Sequence, residues 1–300
     1  MSPTEAAYDA VPLLGTAGVA TDEPHHLGEG PTWDPNRERL LWVDIEVGTV
    51  HTGRLAEDGR IEPVERIDFP DTAGAVAVAE DGTMVVAGKH RLHYRDLDGN
   101  ISSSRALLTG DDRRFNDAKP DPAGRLVAGS KGPGGEVLLR VEARENITIL
   151  DGDLELSNGL AWTADGRRFI SIDTPTRRIF VRDYSAVTGE VGDREVFLEL
   201  EHGYPDGMTI DAEDHLWVAV FGGGCVLRIA PDGRIVARVD VPAPHTTCPA
   251  FAGPELDTLV ITTATEGLDE EMLARYPLSG RLFTFRPGVR GVRPHLWAGR

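Results

Sequence analysis

The sequence predicts an all-β fold: a six-bladed β-propeller of four-stranded antiparallel blades, its ring closed by a strand from near the N-terminus. Three observations predict it. Six similar segments recur along the chain, each segment holds two alternating apolar runs about a polar turn, and a further strand-like run follows most of them. Four strands per unit at a period of about 40–50 residues is the pattern of propeller blades.

The segments are EGPTWDPNRERLLWVDI from Glu29, AGAVAVAEDGTMVVAG from Ala73, NDAKPDPAGRLVAGS from Asn116, NGLAWTADGRRFISI from Asn158, DGMTIDAEDHLWVAV from Asp206 and CPAFAGPELDTLVIT from Cys248. Their starts lie 44, 43, 42, 48 and 42 residues apart. Val76 and Val78 answer Met84 and Val86, and Leu160 and Trp162 answer Phe169 and Ile170. The turns between them hold Asp81-Gly82, Ala123-Gly124 and Asp165-Gly166, so each segment reads as a hairpin. Third strands follow in GTVHTGRL, RLHYRDLDG, GEVLLRVE, RRIFVRDYS, CVLRIAPDG and GRLFTFRPG, and outer strands in IEPVERIDF, EVFLEL and IVARVDVP. VPLLGTAG, before the first hairpin, has no partner in its own unit and is assigned to the outer edge of the last blade, where closure protects sheet edges. A β-sandwich or two smaller β domains would not produce a sixfold repeat, and no Pro/Ser-rich linker divides the chain. Residues 11–300 therefore read as one domain behind a flexible segment, 1–10.

Composition limits the partners. The 300 residues are 40% hydrophobic and 27% charged, with a formal net charge of −18. That charge argues against nucleic acid and anionic membranes, which recruit Lys/Arg patches, and favours cations and neutral small molecules. No run approaches the roughly 20 apolar residues of a membrane span. Met1 to Ala20 lacks the basic and continuous apolar regions of a secretory signal, which points to the cytoplasm. The two cysteines, Cys225 and Cys248, form no CxxC and have no zinc-type histidine spacing. Cys248 reads as a buried small apolar residue rather than a nucleophile, as a lone cysteine in an apolar context usually is.

In a propeller the first strand of each blade lines the central channel, so equivalent repeat positions converge on one axis. The start pairs are Glu29-Gly30, Ala73-Gly74, Asn116-Asp117, Asn158-Gly159, Asp206-Gly207 and Cys248-Pro249. Asn-Gly and Asp-Gly are common turn dipeptides, but the turns of this chain fall elsewhere in the repeat. Carboxylates and carboxamides gathered in a narrow channel need a partner, and oxygen-only ligands select one hard divalent ion: Ca²⁺ first, then Mg²⁺ or Mn²⁺, with Zn²⁺ or Fe²⁺ accepted. Other features carry less. Adjacent His25 and His26 point to opposite sides of an extended chain. His245, before the sixth hairpin, is a loop residue that lines the channel or simply packs. FGGGC from Phe221 has no following helix or lysine of a phosphate loop. EGLDEEMLARYP from Glu266 reads as a short helix over the channel.

The strings LGEGPTWDP, LLWVDI, RFNDAKPDPAGR, LSNGLAW, PDGMTIDAEDHLWVA and GRLFTF, spread from Leu27 to Arg300, resemble the senescence-marker-protein, gluconolactonase and luciferin-regenerating-enzyme family, which includes regucalcin. The resemblance implies a metal-dependent hydrolase that opens a sugar lactone to the aldonic acid. It implies that Glu29, Asn158 and Asp206 hold the metal, that Arg114 and Asn116 face the substrate, and that Asp206 is the general base. The metal polarises the lactone carbonyl, and either Asp206 or water acidified by the metal delivers the nucleophile. In more distant, organophosphate-hydrolysing propellers the residue equivalent to Asn116 is itself a ligand, so Asn116 has two readings. The family commonly continues DPAGR into Gly-Thr-Met; this chain has Gly129-Ser130-Lys131, and Lys131 is either a cation that pairs with an acidic substrate group or a site carboxylate, or a solvated loop lysine. Two other functions fit the same residues: a calcium-binding propeller without turnover, and a metal-dependent esterase or phosphotriesterase.

Overall fold

The computed structural model describes residues 8–299. Residues 1–7 of the segment expected to be flexible, and residue 300, lie outside the described residues; Tyr8 is buried and donates its hydroxyl to the His202 carbonyl at 2.6 Å. Two short strands, β1 (Leu13–Thr16) and β2 (Gly18–Val19), precede the repeats. The first repeat forms β3 (Gly28–Asp34), β4 (Arg39–Asp44), β5 (Thr49–Leu55) and β6 (Ile61–Asp68). The second forms β7 (Ala75–Val78), β8 (Met84–Ala87), β9 (Leu92–Arg95) and β10 (Ile101–Ser103). Then come β11 (Arg114–Pro120), β12 (Leu126–Val141), β13 (Ile147–Trp162), β14 (Arg168–Asp173), β15 (Arg178–Asp183) and β16 (Glu195–Glu199). The rest are β17 (Tyr204–Ile210), β18 (Leu216–Phe221), β19 (Cys225–Ile229), β20 (Ile235–Asp240), β21 (Thr246–Ala252), β22 (Thr258–Thr263), the helix α1 (Glu270–Arg275) and β23 (Phe283–Phe285). Among the described residues no helix is long and apolar enough to cross a membrane.

Hairpin turns form where aspartates fold back on the backbone. Asp34, Asp81, Asp121, Asp165 and Asp211 each accept from the amide two residues on, at 2.8–3.0 Å. These Asx turns mimic a backbone turn and set the hairpin period.

The expectation of six separate four-stranded blades is corrected. The strands hydrogen-bond into five sheets, in the orders β3-β4-β5-β6, β10-β9-β8-β7, β11-β12-β13-β14-β15-β16, β1-β20-β19-β18-β17 and β2-β23-β22-β21. The third and fourth repeats share the six-stranded sheet because nothing breaks the chain between them. ITILDGDLELSNGLAW runs as one 16-residue strand, pairing with β12 up to Leu156 and with β14 from Ser157. Asp151-Gly152, which resembles a turn, lies inside the strand. Val127, Leu138, Leu160, Trp162 and Phe169 pack together between the two halves of this sheet, so both of its hairpins reach the axis. The N-terminal strand also departs from its assignment. VPLLGTAG places β1 parallel to β20, as the fifth strand of that sheet, and only Gly18–Val19 pairs with β23 in the last sheet.

The inner strands β3, β7, β11, the C-terminal half of β13, β17 and β21 touch in that order, and β21 touches β3, closing the ring. Apolar clusters fill the wedges between neighbouring sheets; Ile170, Ile172 and Ile179, for example, pack against Met208, Val218 and Leu227. Near the axis the inner strands approach backbone to backbone. A Cβ added at Gly159 would lie 2.6 Å from the Asp206 carbonyl oxygen, and one added at Gly207 would collide with Cys248 Sγ and lie 2.8 Å from Cys248 Cα. Asn158-Gly159 and Asp206-Gly207 are thus strand residues, with glycine required by the neighbouring strand. Gly207→Ala is expected to lower unfolding stability by about 1–3 kcal/mol through overpacking. Urea unfolding measures this, and an unchanged midpoint would contradict close packing at the axis.

Candidate functional site

Polar side chains reach the axis because the inner strands bulge where they carry them. Register shifts fall between Glu29 and Thr32 in β3, Phe115 and Ala118 in β11, Asn158 and Leu160 in β13, and Pro205 and Met208 in β17. The strand β7, which runs from Ala75 to Val78 and carries no polar side chain, pairs with β8 without a shift. A bulge bends its strand and re-aims one side chain out of the pleat.

The re-aimed groups form a directed hydrogen-bond chain. Arginine can only donate, and Arg114 Nη1 donates to Asn116 Oδ1 at 2.7 Å while its Nε donates to Glu46 Oε1 at 3.0 Å. With its oxygen accepting, Asn116 donates from Nδ2 to Asn158 Oδ1 and to the Ser157 carbonyl, both at 3.1 Å. Asn158 Nδ2 in turn donates to Asp206 Oδ1 and, at 3.2 Å, to Thr174 Oγ1. The fixed donor character of Arg114 therefore sets the orientation of both carboxamides. It also leaves Asn116 no spare N–H, so Asn116 offers a ligand an acceptor rather than a donor.

Carboxylates dominate the charge. Burial, reinforced by Asp206 and Asp117, holds the Glu29 carboxyl well above the usual carboxylate range. Burial, with Asp117 beside it, does the same to Asp206 despite the opposing Lys131 ammonium, and burial raises Asp117. Desolvation and like charge both disfavour the ionised form. Asp117 Oδ2 and Arg114 Nη2 are buried without a hydrogen-bond partner among the described residues. Glu29 Oε2 accepts from the Gly30 amide at 2.8 Å and Asp206 Oδ1 from Asn158, leaving Glu29 Oε1 and Asp206 Oδ2 with no hydrogen bond among the described residues. These two oxygens and Asn158 Oδ1 form an oxygen-only donor set on a cavity short of positive charge, which fits a hard divalent cation.

The six residues singled out in the sequence, Glu29, Arg114, Asn116, Lys131, Asn158 and Asp206, all line one cavity of about 130 Å³. Its wall also includes Thr174 and Phe221, which sequence reasoning assigned no role, and Glu266, the first residue of the segment expected over the channel. Asp117 was missed as well, although it stands in the Asn116-Asp117 start pair; Glu46, the partner of Arg114, follows LLWVDI with no signal of its own. His25 is buried, accepting from Trp42 Nε1 at 2.9 Å, while His26 is exposed. His245 stacks on Phe221, ring centroids 4.0 Å apart, and so backs the cavity wall. Cys248 is buried, and burial with Glu29 and Asp117 nearby pushes its thiol well up, away from nucleophile behaviour. The helix α1 forms with Asp269 as its N-cap, just beyond Glu266. Asp211, Glu213 and His215 gather elsewhere, but Arg228 and Trp217 already pair with Asp211 Oδ2 at 2.9 Å.

Residues 27–265 match the family described as the SMP-30/Gluconolactonase/LRE-like region. The chain belongs to this family. Among curated relatives of this SMP-30/gluconolactonase-family chain, a pentonolactonase of Haloferax volcanii is 36% identical over 83% of this chain and 85% of its own. A 6-deoxy-6-sulfogluconolactonase of Pseudomonas putida is 35% identical over 92% and 97%. The solved structure of a calcium-binding protein, regucalcin, from Agrobacterium tumefaciens superposes with a TM-score of 0.87 at 32% identity, covering 96% of this chain and 99% of that one.

A carboxyl whose folded pKa is raised holds its proton more tightly in the folded state, so its stability cost grows as pH rises from the unfolded value towards the folded one. The isosteric Glu29→Gln removes that cost. In a chelating buffer at neutral pH the variant is expected to be more stable by about 1–4 kcal/mol, the gain shrinking towards pH 4 as the native carboxyl takes its proton. Calorimetric unfolding across pH measures this; a variant less stable at every pH would contradict the like-charge reading.

Proposed function

We propose that this cavity hydrolyses a sugar lactone to its aldonic acid with one divalent cation, Ca²⁺ first, held by Glu29, Asn158 and Asp206. The observation that carries the proposal is the pairing of an under-neutralised oxygen donor set with a directed donor chain that ends on it. The lactonase names of the two curated relatives support the substrate class, and the calcium-binding neighbour supports the ion. When bound, the cation supplies Lewis acidity to the lactone carbonyl.

The chain's own residues divide the remaining work. Asp206 Oδ2 receives the proton of the attacking water, whose oxygen bonds to the carbonyl carbon. The ring C–O bond then breaks, the leaving oxygen takes the proton as a hydroxyl, and the acid product ionises. Asn158 fixes Asp206 through Oδ1, so the other carboxylate oxygen is the one presented. Arg114 Nη2, buried and unpartnered, donates to a substrate oxygen, and Asn116 Oδ1 accepts from a sugar hydroxyl. Glu46 holds the guanidinium plane through Nε, so the free Nη2 is oriented in advance of binding.

Titration of acid release from a panel of aldonolactones, before and after chelation and cation add-back, tests the proposal. Asp206→Ala is expected to lower kcat/KM by about 10²–10⁴-fold. Arg114→Ala is expected to act chiefly on KM. Hydrolysis that survives complete chelation, or full activity in the Asp206 variant, would overturn it.

A further inference from the structure

Within the same cavity Lys131 has no part in opening an unsubstituted lactone, and it stands beside Arg114. Arg114 in β11 and Lys131 in β12 are directly opposite each other, and Lys131 is opposite Leu156 in β13. All three line the cavity, as one cross-strand row on one face of the sheet. Directly opposed residues hold their Cβ atoms about 5 Å apart, and like charges there destabilise a sheet. Sheet pairing alone therefore gives no reason for an arginine facing a lysine.

The row has unused donors as well. Arg114 places Nε on Glu46, but its Nη2 is buried without a partner. Lys131 is half-buried, and its ammonium makes no hydrogen bond or ion pair with any described residue, although Asp206 and Glu266 share the cavity. Two neighbouring cations with spare N–H groups, set on a wall that also presents the apolar Leu156, match an anionic group on a small organic ligand.

We infer that the preferred substrate is a sugar lactone bearing an anionic substituent, a carboxylate, sulfonate or phosphate, on the part of the sugar away from the lactone carbonyl, and that Lys131 is the residue that selects it. This rests on the lactonase reading. The carbonyl sits towards Asp206 and Glu29, and the anion lies between Lys131 Nζ and Arg114 Nη2. In a protein of net charge −18, long-range attraction does not draw in such a substrate, so selection falls to this local pair.

The experiment compares kcat/KM for native protein, Lys131→Gln and the volume-matched Lys131→Met on matched lactones: D-glucono-1,5-lactone against its 6-phosphate, and D-glucono-1,4-lactone against D-glucaro-1,4-lactone. Native protein is expected to favour the anionic member of at least one pair, which also tells phosphate from carboxylate. Both variants are expected to lose about ten- to a hundredfold more on that anionic lactone than on its neutral counterpart, mainly through KM. Equal losses on neutral and anionic lactones, the result if Lys131 only balances the site carboxylates, would overturn the inference, as would no preference in the native protein. Hydrolysis of neither class would instead overturn the parent lactonase reading.

Discussion

Three carboxyl groups, from Glu29, Asp117 and Asp206, are taken out of water beside one another at the axis where the inner strands converge. Desolvation and mutual repulsion both act against this arrangement, and the neighbouring cations offset them only in part: Arg114 is tied to Glu46, Lys119 donates to the Met208 carbonyl, and Lys131 makes no ion pair with any described residue. The other features of the site follow from this constraint. The donor chain through Asn116 and Asn158 fixes which oxygens remain free, and the protein accepts a local loss of stability for a site that a hard cation completes.

The fold makes that gathering possible by two devices. Glycine follows the site residues Asn158 and Asp206, so neighbouring inner strands approach to backbone contact and bring their side chains within one cavity. Bulges then turn those side chains towards the axis, in the strands that carry polar groups and not in β7. The hairpin turns, built on buried aspartates such as Asp121 and Asp211, lie apart from the cavity and serve only to fold each repeat. Aspartate thus has two roles, at the turns as Asp121 and Asp211 and at the axis as Asp117 and Asp206, and repeat position separates them.

Much of this was legible in the sequence because a repeat converts spacing into geometry. Glu29, Asn158 and Asp206 share a repeat position, and they share the cavity. Asn116 shares that repeat position as well, and Arg114 stands two residues before it; the family resemblance is what assigned both to the substrate. The sheet count was less legible: ITILDGDLELSNGLAW contains an Asp-Gly that resembles a turn, yet backbone pairing on both sides keeps it extended, and two repeats join one sheet. Glu46, Glu266 and Phe221 reach the cavity from segments between strands or at a strand end, where no periodicity predicts a direction. Whether Asn116 donates or accepts is not legible in the sequence, since only its partners reveal that both amide hydrogens are already used.

The most direct test of the charge gathering at the axis is calorimetric titration of Ca²⁺ into chelated protein, repeated at neutral pH in two buffers of different ionisation enthalpy. Burial and repulsion make these carboxyls hold protons more tightly than free carboxyls do, and a cation that takes the place of those protons displaces them. One ion per chain bound with net proton release, both lost in Glu29→Gln, is the predicted result. Absence of saturable binding, or binding with no proton release that persists in the variant, would contradict it.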